Sequence, residues 1–432
     1  MAATQSSARA VDDRRATALA ILRLLFGEEF AQRFAIRLWD GTVIHAREGA
    51  ARFTLVVNAP EALRAALLPP DQLGAGRAFV NGLLDCEGDI EAAVDLFERT
   101  FGSFQMRSLP SLLALVLRLP KPEHLDHLRE ANLRGRKHSL ARDRAAIGFH
   151  YDQAIAFYRC FLDREMVYSC GYFDDGVETL DQAQMAKIDH TLRKLRLQAG
   201  EQLLDIGCGW GALVVRAAER YGARVLGVTL SQRQHEEASR RIAQVGISAT
   251  ARVELRDYRE LRDEHPFDKI VSIGMFEHVG RSKLPEYFST AYSLLRPGGL
   301  FLNHGISAPA GAHIGAGRAG FVERFVFPDG ELVPISEALE ISEEAGFEVR
   351  DVENLREHYA RTCRAWVANL ERNRTAAIEA ADERTYRIWR LYMAGSAQGF
   401  ATRRMGIHQS LLAKPCADGS VELPPTRRDI YA

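Results

Sequence analysis

Leu203-Leu-Asp-Ile-Gly-Cys-Gly-Trp-Gly211 is an apolar run that ends in a carboxylate and passes at once into a Gly-x-Gly-x-Gly turn. A helical pattern starts at Ala212 and runs to about Tyr221. Strand, glycine turn and helix, in that order, open a Rossmann-like nucleotide site. The glycines let the backbone approach a ligand where a Cβ would collide with it. The second strand of such a site decides the ligand class. A dinucleotide enzyme ends it in Asp or Glu, which takes the ribose hydroxyls. Here it ends Val225-Leu-Gly-Val-Thr-Leu-Ser231, with Gln234 following. Thr229, Leu230, Ser231 and Gln234 thus present hydroxyl and amide groups to a ribose or an amino-acid moiety. After the third strand, Asp257-Tyr258 offers a carboxylate and an aromatic face suited to adenine. The fourth strand runs into Glu277-His278 and the fifth into Asn303-His304-Gly305-Ile306. A carboxylate and an imidazole therefore share the edge that carries the glycine turn.

The elements that must position these groups alternate strand with helix. Candidate strands are 202–206, 224–229, 251–256, 269–274, 299–306 and a late one at 348–353, with helices between them. This pattern predicts an α/β fold with a doubly wound, mostly parallel sheet and its ligands at the carboxyl ends of the strands. The preceding part reads differently. Residues 1–15 are polar and read as a flexible N-terminus. Residues 16–120 read as a smaller α+β domain, with helices at 17–26, 60–67 and 90–101 and strands at 34–39 and 52–57. Residues 121–147 form a basic linker containing Arg129, Arg134, Arg136, Lys137, His138, Arg142 and Arg144. It reads either as a solvated helix or as a surface for lipid headgroups, where each basic residue near an anionic membrane adds about 1 kcal/mol. Residues 148–432 form the catalytic domain.

Composition narrows the classes. The chain has 432 residues, enough for two or three domains, and its 47% hydrophobic and 26% charged fractions suit a globular protein. A formal net charge of −1 gives no basis for nucleic-acid binding. Cys86, Cys160, Cys170, Cys208, Cys363 and Cys416 contain no C-x-x-C pair, which argues against a zinc site and a disulfide framework and for a reducing compartment. The polar start lacks the apolar core of a signal peptide. No apolar run reaches the roughly 18 residues of a membrane span. The longest, 109–119, reads as a buried helix. A cytoplasmic protein with only peripheral membrane contact is expected.

Taken together the motifs resemble the class I S-adenosylmethionine-dependent methyltransferases, and more narrowly the cyclopropane-fatty-acyl-phospholipid synthase family with its mycolic-acid relatives. The resemblance rests on His150-Tyr151-Asp152, Tyr168-Ser169-Cys170-Gly171-Tyr172, LDIGCGWG at 204–211, GVTLSxxQ at 227–234, and GMFEHVG at 274–280. LRPGGLFLNHGI at 295–306 and HYARTCRAW at 358–366 complete the series, which covers about residues 148–414. Seven motifs in order are far more specific than any one glycine turn. The resemblance implies a fold, a cofactor and a reaction. S-Adenosylmethionine would lie against Tyr168, Ser169, Asp205, Gly207, Gly209, Gly211, Thr229, Leu230, Ser231, Gln234, Asp257 and Tyr258. The cis double bond of an unsaturated acyl chain in a phospholipid attacks the sulfonium methyl, and loss of a proton from the resulting cation closes a cyclopropane ring. In the family a bound bicarbonate takes that proton. Its cage maps onto Glu277, His304 and Tyr359, with Cys170 and Ile306 contributing mainly backbone. The resemblance also implies action at the inner membrane surface, a lipid-gripping first domain and a homodimer. Phe325, Phe327 and Trp366 are candidates for the acyl pocket, or for plain core packing.

Two positions depart from the family pattern. Gln153-Ala154 stands where many members have Gly-Asn, which puts that part of the cofactor lid in doubt. Ser396 stands where many carry a late-helix Cys, and the chemistry above needs no thiol nucleophile there. Three rival readings remain: the same methyl transfer ending in a methylene-branched chain, a methyltransferase acting on another small apolar acceptor, and an inactive lipid-binding protein.

Overall fold

The computed structural model describes residues 2–431 except 28–33, 47–48, 69–70, 104–107, 124–129, 132, 152–153, 262–265, 313 and 316–319. Arg129, Asp152 and Gln153 lie outside the described residues. The chain forms two compact units, one of residues 1–130 with 382–398, the other of residues 131–381 with 399–432. This division differs from the expected one in two places. The expected boundary at 147/148 falls inside the second unit, and residues 382–398 join the first. Side chains explain the second difference. Arg387 donates to Asp85 Oδ2 at 2.7 Å and Arg390 to the Cys86 carbonyl at 2.9 Å.

The first unit carries a four-stranded sheet built from β1 (Ala35–Arg37), β2 (Val43–Ile44), β3 (Phe53–Val57) and β4 (Leu84–Gly88), in the order β2-β1-β3-β4. β1 runs parallel to β3, and the other pairs are antiparallel. Its first helix, Ala2–Phe26, includes the polar stretch 1–15 from residue 2 onward. Residues 2–26 contain neither Gly nor Pro, and their Ala and Arg content favours helix until Gly27 ends it at φ +67°. The apolar segment forms the helix Leu109–Val116, which buries Leu112 and Val116 and leaves Leu117 58% exposed.

The second unit is a seven-stranded sheet: β5 (Gln202–Ile206), β6 (Arg224–Thr229), β7 (Ala251–Leu255), β8 (Phe267–Ile273), β9 (Leu295–Ser307), β10 (Glu348–Asn354) and β11 (Gly406–Ala413). The order is β10-β11-β9-β8-β5-β6-β7. Both faces are covered, so the central strands are apolar almost throughout. Leu203 packs on one face with Val214 and Leu192, and Leu204 on the other with Tyr287, Phe288 and Phe301. The six expected strands are present with ends shifted by up to four residues. β11 was not expected. It runs antiparallel between β9 and β10, and it hides from a hydropathy reading because Gln409 and Ser410 sit buried in its middle.

Candidate active site

The glycine turn and the ends of β5, β6 and β8 enclose a cavity of about 150 Å³. Tyr168, Ser169, Asp205, Gly207, Gly209, Thr229, Leu230, Gln234, Asp257 and Tyr258 all line it. Gly209, at φ +53°, has no atom within 4 Å of where a Cβ would stand. Gly211 and Ser231 do not line the cavity. A Cβ on Gly211 would come 2.9 Å from Ala238 Cβ, and its φ is +85°, so this glycine serves close packing and a left-handed helix start. Ser231 is an N-cap whose Oγ accepts from Gln234 N at 3.3 Å.

Asp205 is 3% exposed, and burial pushes its carboxyl up to about 7 despite the nearby Lys187 ammonium. Lys187 lines the cavity too and donates to Ser169 Oγ at 3.0 Å. Thr229 Oγ1 donates to Gln234 Oε1 at 2.8 Å, which fixes the amide that follows β6. Asp257, expected to suit an adenine, already meets a guanidinium. Arg259 forks onto it, with Nε to Oδ1 and Nη2 to Oδ2 both at 2.8 Å. The same guanidinium donates to Asp143 Oδ2 at 2.9 Å. Asp143 comes from the helix Leu140–Tyr151 and also lines the cavity. Arg142 of that helix pairs with Asp329, and Arg144 lies 3.9 Å from Glu260. These two linker residues are thus engaged by acids of their own unit.

The five residues of the implied base site do not line this cavity. Glu277 lies in the short helix Phe276–Val279 that follows β8. Its Oε1 accepts from Ile306 N at 2.7 Å, while its Oε2 is buried with no partner among the described residues. Burial raises the carboxyl to about 7. His304, on β9 two residues before Ile306, is 1% exposed. Side chains at this spacing point to one face of the sheet. Burial and the positive Lys187 and Lys194 hold the imidazole well below its ordinary value, so it is neutral. His304 Nδ1 lies 3.3 Å from Gln409 Nε2, and His304 Nε2 is buried with no partner among the described residues. Glu277 is thus tied to Ile306, two residues along β9 from His304, and each of the two side chains keeps one buried polar atom with no partner among the described residues. The Ile306 N–H is occupied by Glu277 and is not free to serve a bicarbonate directly.

Cys170 is fully buried, its Sγ 3.2 Å from the Gly171 carbonyl and 3.7 Å from that of Leu355. Burial drives its thiol far above the ordinary value, which leaves it inert as a nucleophile. Tyr359 is 8% exposed and stacks on Phe400 with centroids 4.5 Å apart. Trp366 packs between Tyr168 and Tyr359, and Phe327 stacks on His150 at 3.8 Å. Phe325 is 5% exposed against Phe321. Asp143, Lys187, Arg259 and Gln409 escaped the sequence reading. Arg259 stood two residues after a flagged Asp; the others carry no motif and meet the site only through the fold.

A family model described as mycolic acid cyclopropane synthetase matches residues 138–410. A "probable fatty acid methyltransferase" of Pseudomonas putida is 42% identical over 92% of this chain and 95% of its own length. "Cyclopropane mycolic acid synthase 1" of Mycobacterium tuberculosis is 38% identical over 61% of this chain and 95% of its own. Among solved structures, a mycolic acid cyclopropane synthase complexed with SAH and CTAB superposes with a TM-score of 0.58 at 36% identity, covering 62% of this chain and 97% of that one. The strand order, the glycine-turn cavity and these matches agree: the chain belongs to the mycolic acid cyclopropane synthetase family.

Proposed function

We propose that this protein is an S-adenosylmethionine-dependent methyltransferase that alkylates the cis double bond of an unsaturated acyl chain in a membrane phospholipid, with loss of a proton closing a cyclopropane ring. The observation that carries the reading is that Glu277 Oε2, just past β8, and His304 Nε2, near the end of β9, are both buried with no partner among the described residues. Buried polar atoms are rarely left unsatisfied, and such exceptions ask for an occupant.

The cavity fits the cofactor. No hydrogen bond from the described residues reaches the Asp205 carboxylate. It is free to hold an ammonium, while Thr229 and Gln234 take a ribose and Tyr258 presents a ring. The cofactor supplies an electrophilic methyl group when bound. The base site fits a small oxyacid anion such as bicarbonate. Glu277, kept partly protonated by burial, donates through Oε2, and a neutral His304 adds its Nε2. A bicarbonate held there would supply the base. Burial also excludes water, which would otherwise trap a carbocation.

One observation favours a second outcome at the same site. Relatives matched over nine-tenths of this chain are named for fatty acid methylation, while the cyclopropane synthase is matched over 61% of it. The same cation can lose a different proton and leave a methylene branch. Mass spectrometry of lipids from a host with unsaturated phospholipids tests both. Ring-bearing chains support the first reading, a methylene product without cyclopropane overturns it, and unmodified chains overturn both. On this reading the enzyme works peripherally at the cytoplasmic face of the membrane as a homodimer, with the first unit gripping lipid. Among the described residues no helix is long and apolar enough to cross a membrane.

A further inference from the structure

The helix Leu180–Lys194 buries a polar stripe. Lys187, His190, Thr191 and Lys194 recur at the three- and four-residue spacing of one helix face, and each is at most 2% exposed. Buried charges and hydroxyls are costly unless they are met. Here they are met. Lys187 donates to Ser169 Oγ, His190 Nε2 lies 2.7 Å from Glu353 Oε2, and Lys194 Nζ lies 3.0 Å from Asp351 Oδ2. Thr191 Oγ1 accepts from Gln409 Nε2 at 3.2 Å.

Gln409 connects this stripe to the site. It faces His304 across the β9–β11 ladder, and its amide nitrogen reaches both Thr191 and His304 Nδ1. In this orientation both amide protons are used and one buried oxygen, Gln409 Oε1, lacks a partner. The reverse orientation would instead strand two buried N–H protons, and leaving buried donors unmade costs about 1–3 kcal/mol. The structure therefore makes Nδ1 an acceptor. A neutral imidazole has one proton, so it sits on Nε2, the unpartnered atom.

We infer that Gln409 is a positioning residue that locks His304 as the Nε2–H tautomer, making the imidazole a hydrogen-bond donor to the occupant proposed for its site rather than the base. Only the identity of that occupant rests on the proposed function; the tautomer does not. The hydroxyl of Thr191 holds the amide from the opposite side. The lock costs the fold a buried carbonyl, and it spares the site a histidine that would compete for the proton.

The test uses full-length protein with 15N-labelled histidine, the His304 signal being assigned by its loss in His304→Gln. Wild type should show an unprotonated Nδ1 and a protonated Nε2; the opposite pattern overturns the inference. Gln409→Leu should release the lock, giving a mixture of tautomers. Its kcat should fall about 10- to 100-fold, the range for groups that orient a site histidine. The Kd for S-adenosylmethionine, read by calorimetry, should stay unchanged. Gln409→Glu keeps the shape but offers only acceptors, so the proton should move to Nδ1 and kcat should fall with it. If both variants keep the wild-type tautomer and kcat, Gln409 does not position His304. Should the Leu variant not fold, the wild-type spectrum and the Glu variant still decide. A wild type that binds no S-adenosylmethionine would sink the functional reading and leave the spectrum to judge the tautomer.

Discussion

Replacing Glu277 with Gln asks whether the fold holds this carboxyl neutral. Burial is the largest influence and lifts it from 4.5 to about 7, against backbone N–H groups, that of Ile306 among them, which favour the ionised form. The sign follows from linkage. Below 4.5 the group is protonated in folded and unfolded chains alike. Between 4.5 and about 7 the unfolded chain releases the proton while the folded chain keeps it, so stability falls as pH rises; above that the loss is complete. At about 1.4 kcal/mol per pKa unit, the rise corresponds to about 3 kcal/mol. The amide variant does not titrate, and it keeps an oxygen for the Ile306 N–H. Its stability relative to wild type should therefore improve by about 2 kcal/mol between about pH 5.5 and about pH 8. Urea unfolding of both proteins at the two pH values measures this. A difference that does not change with pH would refute the claim that burial perturbs Glu277. The variant should also lose turnover, because it cannot share a proton with an anion.

Other perturbations test the rest of the site. Asp205→Asn removes the carboxylate proposed to hold the ammonium, and S-adenosylmethionine affinity by calorimetry should fall about 10- to 100-fold, as for loss of a hydrogen bond to a charged group; unchanged affinity would remove Asp205 from the proposed cofactor site. Gly211→Ala places a Cβ 2.9 Å from Ala238 Cβ at φ +85°. It should cost about 1–3 kcal/mol of stability, and cofactor affinity, once the variant is folded, should stay near wild type. Cys170→Ala should keep most of the turnover, since the buried thiol is held protonated; loss of activity in a well-folded variant would restore a role to the sulfur.

Much of the site was legible because it lies on strand ends. A parallel strand covered on both faces announces itself as an apolar run, and its carboxyl end is where ligands bind. Asp205, Thr229, Asp257 and His304 were proposed on this ground, and Glu277, read at the end of the fourth strand, lies in the short helix just after β8. Gly211 and Ser231 show the limit of a motif. Both belong to it and both have a structural contact, Gly211 approaching Ala238 and Ser231 capping a helix, which spacing alone does not reveal.

The order of strands, glycine turn and helices was written in the linear pattern, because hydrophobic periodicity and glycine placement are local properties. With them came the family and the cavity that suits a nucleotide-like cofactor. The protonation states were decided only by tertiary structure. Glu277 is an ordinary acid in the sequence and becomes one near 7 through burial. His304 acquires its neighbour from β11, a strand about a hundred residues away that no hydropathy pattern revealed. Arg259 forks onto Asp257 beside it, but reaches Asp143 only where the chain folds back on itself. Electrostatics in a folded protein depend on which groups share a dry space, and that is a property of packing rather than of order along the chain.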